Sequence, residues 1–117
     1  MANVEDRTQA AIVGFIHAVA PQCLVFAVPN GGLRTKAQAA KFKWTGVLAG
    51  VPDLVVLAPG GKSFFIEVKA PKGVLSDAQK ALIPAIQDMG FPCFICRSVN
   101  EASEALAALG IKTREAA

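Results

Sequence analysis

Residues 53–70 read Asp53-Leu54-Val55-Val56-Leu57-Ala58-Pro59-Gly60-Gly61-Lys62-Ser63-Phe64-Phe65-Ile66-Glu67-Val68-Lys69-Ala70. Two apolar runs rich in β-branched and aromatic residues flank a Pro-Gly-Gly turn, the pattern of an antiparallel hairpin. The first run is apolar on both faces, as expected of a central strand. The second alternates. Phe64, Ile66 and Val68 point one way, into a core, and Glu67 and Lys69 point the other. Asp53 opens the first strand, and Glu67 and Lys69 close the second, so the hairpin returns all three to one end of the sheet. Register decides whether they share a face. A two-residue turn at Gly60-Gly61 sets Asp53 opposite Val68, on the wrong face; a three-residue loop sets it opposite Lys69. The expectation is an odd-length loop or a bulge.

Outward from the hairpin, Ala11, Ile12, Phe15, Ile16 and Val19 recur at helical spacing over residues 4–19, and Pro21 closes that helix. Residues 24–28 read as a strand, followed by a turn at Pro29-Asn30-Gly31-Gly32. The Ala- and Lys-rich residues 35–44 predict a short basic helix or a mobile loop. Gly46, Gly50 and Pro52 then break the chain. Ser76 is an N-cap for a helix running to about Met89, where Gly90 stops it; Pro84 within it predicts a kink or a break. Cys93 to Ser98 form a fourth strand, parallel to the third because a crossover helix precedes it. Ser98 and Glu101 suggest a capping box for a last helix ending at Gly110. The predicted architecture is α/β: a mixed four-stranded sheet flanked by helices, with residues 1–117 forming a single domain.

Composition agrees. The chain has 117 residues, 53% hydrophobic and 18% charged, values of a globular domain with its own core. The longest apolar runs are far too short to span a bilayer. The first residues, Met1-Ala2-Asn3-Val4-Glu5-Asp6, do not read as a signal peptide, so a cytoplasmic location, in a phage or bacterial setting, is expected. Net charge is +3, and its distribution is uneven. Between Asp6 and Asp53 there is no acid, while Arg7, Arg34, Lys36, Lys41 and Lys43 fall in that stretch. A basic segment beside isolated acids suits a polyanion, although a solvated helix face would look the same. Cys93 and Cys96 form a CxxC on a strand, where residues three apart face opposite ways. They read as small buried hydrophobes rather than a zinc site. For Trp44, packing is expected over stacking on a base.

The chemistry lies in Asp53, Glu67 and Lys69. Two carboxylates and an ammonium on one sheet face are costly to bury unpaired. Hard oxygen ligands suit Mg²⁺ or Mn²⁺, which also bind substrate phosphate. Asp53, Glu67 and the main-chain carbonyl of Val68 would hold such an ion, and Lys69 would orient the attacking water or offset charge in the transition state. Spacing alone leaves a second reading, a Glu67–Lys69 ion pair on a solvated strand with Asp53 capping a turn. The strongly apolar flanks argue against it.

Taken together, Gly50-Val51-Pro52-Asp53-Leu54, Ile66-Glu67-Val68-Lys69-Ala70-Pro71 and Gly73-Val74-Leu75-Ser76-Asp77-Ala78-Gln79 closely resemble the VRR-NUC domain, the virus-type replication-repair branch of the PD-(D/E)XK nucleases. Asn30-Gly31-Gly32 and Arg97-Ser98-Val99-Asn100-Glu101 fit as well. The resemblance spans about residues 5–109. It implies a restriction-endonuclease-like three-layer sandwich and a Mg²⁺-dependent endodeoxyribonuclease. It adds Glu5 as a support of the metal site and Gln79 as an active-site side chain. Ser76 is expected to be a cap, not a catalyst. Arg34, Lys36, Lys41, Lys43, Lys72 and Lys80 become candidate phosphate contacts. Stand-alone members of the family imply a homodimer acting on branched DNA such as Holliday junctions. A non-catalytic DNA-binding module, or a nuclease subunit needing a partner, are the competing readings.

Overall fold

The computed structural model describes residues 2–29 and 35–116. Along them run α1 (Val4–Val19), β1 (Leu24–Ala27), α2 (Lys36–Trp44), β2 (Leu54–Ala58), β3 (Lys62–Val68), α3 (Asp77–Asp88), β4 (Cys93–Cys96) and α4 (Val99–Ala108). The four strands form one sheet in the order β1-β2-β3-β4. β2 pairs antiparallel with β1 and β3, and β4 runs parallel to β3. This is the mixed sheet expected from the sequence, with the crossover through α3.

The hairpin loop has odd length. Ala58 pairs with Lys62, leaving Pro59, Gly60 and Gly61 as the turn. Gly60 and Gly61 both take positive φ, at 85° and 76°, which a side chain would resist. The partner expected for Asp53 needs correcting. The register runs Leu54 to Ile66, so Asp53 falls opposite Glu67 and not Lys69. The loop is centred on Gly60, one residue earlier than expected. Parity is preserved, and with it the shared face.

Phe64, Ile66 and Val68 fill the core face with Leu54 and Val56, against Ile12 and Ile16 of α1 and Ala102 and Leu106 of α4. Each such side chain stabilises by about 1.5–3 kcal/mol on burial. The 3.6-residue spacing of α1 puts Ile12, Ile16 and Val19 on one stripe, all buried. On the other face α3 packs against β4, with Ile83 and Cys93 buried outside the main core. Helices therefore cover both faces, as the three-layer reading requires, and the arrangement is consistent with a restriction-endonuclease-like fold.

The local expectations are met in part. Residues 36–44 are a helix, capped by a reciprocal Thr35–Gln38 box, and none of its residues is buried. Trp44, expected to pack, is 87% exposed. Pro84 does not break α3, which continues to Asp88. Pro84 is exposed, so the carbonyl one turn back that loses an amide partner can turn to water. The box at α4 is half made. Ser98 accepts from the Glu101 amide, but the Glu101 carboxylate takes the Arg97 amide instead of the Ser98 amide. Asn30, Gly31, Gly32 and Arg34 lie outside the described residues. No helix among the described residues is long and apolar enough to cross a membrane.

Candidate active site

Asp53 is fixed from two sides at the end of the β2–β3 ladder. Its carbonyl accepts from the Val28 amide and its Oδ2 from the Val68 amide, both at 2.8 Å. The strand register carries Glu67 to the same sheet end, and the Asn3 cap starts α1 so that Glu5 lies in its first turn. One carboxylate oxygen from each of Glu5, Asp53 and Glu67 lies within 4.8 Å of the others. These three residues, with Ala49, Gly50, Ser76 and Gln79, line a cleft of about 310 Å³.

Glu67 is the centre of the cluster. It is 1% exposed, between the buried Ile66 and Val68 on β3. Its Oε2 accepts from Gln79 Nε2 at 2.8 Å and stands 3.4 Å from Lys69 Nζ. Its Oε1 is buried and has no hydrogen-bond partner among the described residues. A buried carboxylate oxygen left unpaired costs about 1–3 kcal/mol or more. Burial, then the neighbouring Asp53 charge, push the Glu67 carboxyl up to about 7, with the Lys69 ammonium pulling the other way. A buried carboxyl beside a second carboxylate is a site that a divalent cation would relieve.

Gln79 owes its orientation to a helix cap. Ser76 and Gln79 form a full capping box, in which the Ser76 amide donates to Gln79 Oε1 at 2.9 Å and Ser76 Oγ accepts from the Gln79 amide. With the oxygen so engaged, the Gln79 amino group is free to face Glu67. The structure thus brings Glu5, Asp53, Glu67, Lys69, Val68 and Gln79 together. Lys36, Lys41 and Lys43 lie on α2, Lys72 on the loop after β3, and Lys80 beside Gln79; all five are exposed.

Two supports were not assigned from sequence. Gly50 has φ of 88°, and a Cβ there would stand 2.6 Å from the Ala78 carbonyl oxygen. The turn that leads into β2 therefore lies directly against the first turn of α3. Arg97 Nη1 donates to the carbonyls of Ala70 and Gly73, at 2.7 and 2.8 Å, tying down the loop that follows Lys69. Only the position of Arg97 at a strand-to-helix junction hinted at such a part. Cys93 and Cys96 are free and buried, with burial pushing their thiols up to about 12 and about 11. The register puts them on opposite faces, so they do not share a metal.

The donors fit a hard divalent cation. All are oxygens. Glu67 Oε1 is buried and unpartnered among the described residues, and one oxygen from each carboxylate lies within 4.8 Å of the others, close enough to share one ion.

Comparison with known proteins agrees. A family model, the VRR-NUC domain, matches residues 5–100. Two solved structures share the fold. One is described as a VRR_NUC domain, is 21% identical with a TM-score of 0.63, and the match covers 91% of this chain and 97% of that one. The other is described as a VRR_NUC domain protein, is 22% identical with a TM-score of 0.72, and the match covers 96% and 93%. No curated protein matches. With its hairpin, its carboxylate cluster and a family match over most of its length, this chain belongs to the VRR-NUC family of nuclease-type domains.

Proposed function

We propose that residues 1–117 act as a single Mg²⁺- or Mn²⁺-dependent endodeoxyribonuclease of PD-(D/E)XK type, hydrolysing phosphodiester bonds in branched DNA such as Holliday junctions. The observation that carries this reading is Glu67: a carboxylate buried to 1% exposure, with one oxygen unpartnered among the described residues and two further carboxylates beside it. A solvated ion pair has no reason to be so buried. A binding module has no use for three acids gathered where phosphate would lie.

Asp53 and Glu67, with Glu5 and the main-chain carbonyl of Val68, would hold the ion. When bound, it supplies Lewis acidity at the scissile phosphate and lowers the pKa of the attacking water. The Val68 amide keeps the Asp53 carboxylate in one orientation, and Gln79 does the same for Glu67. Lys69, held 3.4 Å from Glu67, donates hydrogen bonds to the attacking water or a phosphate oxygen and offsets negative charge as the phosphorus adds a fifth oxygen. Because Lys69 directly follows β3 and its amide donates to the Cys96 carbonyl at 3.1 Å, it is placed before substrate arrives. Lys36, Lys41, Lys43, Lys72 and Lys80, with Arg34, contact phosphates without reading sequence. A homodimer would present two such centres to the two strands of a junction, in a cytoplasmic phage or bacterial setting.

Purified protein incubated with four-way junction, flap and linear duplex DNA tests this, in Mg²⁺, Mn²⁺ or EDTA, beside Asp53→Ala and Lys69→Ala. Metal-dependent cutting, strongest on the junction and reduced at least 100-fold in both variants, is expected. Tight binding with no cutting in any metal would favour a binding module.

A further inference from the structure

Helix α2 is an anomaly in an otherwise well-packed domain. It carries no buried residue, yet it is properly capped at its start and holds a tryptophan that is 87% exposed. Val47 and Leu48, just beyond it, are exposed as well, at 41% and 55%, and exposed apolar side chains gathered in one segment mark a contact surface. At 100° per residue, Lys36, Lys41, Lys43 and Trp44 fall within an arc of about 160°, while Phe42 lies on the far side. Phe42 is the more sheltered ring, at 37% exposed. The helix therefore turns one aromatic and three ammonium groups outward together.

Charge selects the occupant. No Asp or Glu occurs from Arg7 to Pro52, so nothing acidic on this segment neutralises the three lysines. A second copy of this chain would bring the same cations against themselves. DNA brings phosphates for the lysines and a flat ring for the indole. The location suits it as well: five residues, Thr45 to Ala49, lead from the end of α2 to the cleft, and Ala49 and Gly50 line that cleft. A fully paired duplex stacks its bases internally and offers no free ring face, whereas a branch point exposes unstacked bases.

We propose that Trp44 is the branch-sensing residue of this nuclease: its indole stacks on an unpaired or unstacked nucleobase while Lys36, Lys41 and Lys43 engage the flanking phosphates. This rests on the nuclease reading above and specifies how the site would prefer branched DNA. The chain holds one tryptophan and no tyrosine, so its intrinsic emission reports on this position alone.

The test is a titration in EDTA, which prevents cutting, with a four-way junction or a paired duplex of equal length. Binding is followed independently through a labelled strand. Tryptophan emission should be quenched as the junction saturates, and much less by the duplex. Trp44→Ala should weaken junction binding about tenfold, and Trp44→Phe should retain most of it. Circular dichroism and Tm of both variants should match wild type, because so exposed a side chain adds little stability. Unchanged emission on a saturating junction overturns the proposal, as does full junction affinity in Trp44→Ala. An emission shift that follows protein concentration without DNA also overturns it, because a second copy then covers the helix. Quenching without metal-dependent cutting would sink the nuclease reading and leave the base contact standing. Cutting with unchanged emission would do the reverse.

Discussion

Glu67 sets stability against function within one side chain. Its carboxyl is raised from 4.5 to about 7, first by burial and then by the Asp53 charge. Below about pH 4.5 both the folded and the unfolded chain hold this proton. Between 4.5 and 7 the unfolded chain releases it first, so the metal-free fold loses stability as pH rises, by up to about 3 kcal/mol, and then levels off. Glu67→Gln removes the buried charge while keeping an acceptor for Gln79. Metal-free Tm at pH 8 should therefore rise above wild type, and its fall between pH 5 and 8 should shrink, while cleavage is lost. Thermal denaturation across that range checks this; a Glu67→Gln Tm below wild type at pH 8 would mean that the carboxylate is not strained. The charge pattern of this residue was legible in sequence, since Glu67 and Lys69 are two apart on an apolar strand. Its unpartnered oxygen was not, because hydrogen bonding inside a site depends on residues far away in the chain.

At the scale of elements, the site depends on contacts between the strand ends and the start of α3. The hairpin was legible because period-2 alternation and a Pro-Gly-Gly turn are local signals. Its register was only half legible: parity followed from the need to share a face, but the loop centre depends on which glycines take positive φ. The Gly50–Ala78 contact and the Arg97 clamp were invisible, because both join segments more than twenty residues apart. Gly50 is the sharper test. A methyl group there meets backbone at 2.6 Å and must also accept a φ of 88°. Gly50→Ala should cost about 2–4 kcal/mol and disturb Asp53 and Gln79 together. Chemical denaturation reads the cost, and a loss under 0.5 kcal/mol would show the junction to be loose. Pro84 teaches the converse, since a strong local breaker is overridden on an exposed helix face, where water can take the freed carbonyl.

The whole molecule divides its labour along the sheet. One face is sealed by α1 and α4 and supplies stability. The other, under α3, gathers the polar groups at one end. Fold class and family were legible because several short motifs occur in order along the chain, and their order excludes chance far better than any one of them. The fate of the basic segment was not legible, because charge alone does not distinguish a solvated face from a contact surface. The structure shows a separate helix with an outward tryptophan. On the proposed mechanism, the carboxylates of Asp53 and Glu67 share one divalent cation. Anomalous diffraction from crystals soaked in Mn²⁺ measures this most directly. We expect a peak within about 2.5 Å of oxygens of both residues, with Glu5 nearby, and none in Asp53→Ala. A Mn²⁺ peak bound elsewhere, with the Asp53–Glu67 cleft empty at a Mn²⁺ concentration that supports cutting, would show that these carboxylates do not hold the catalytic ion.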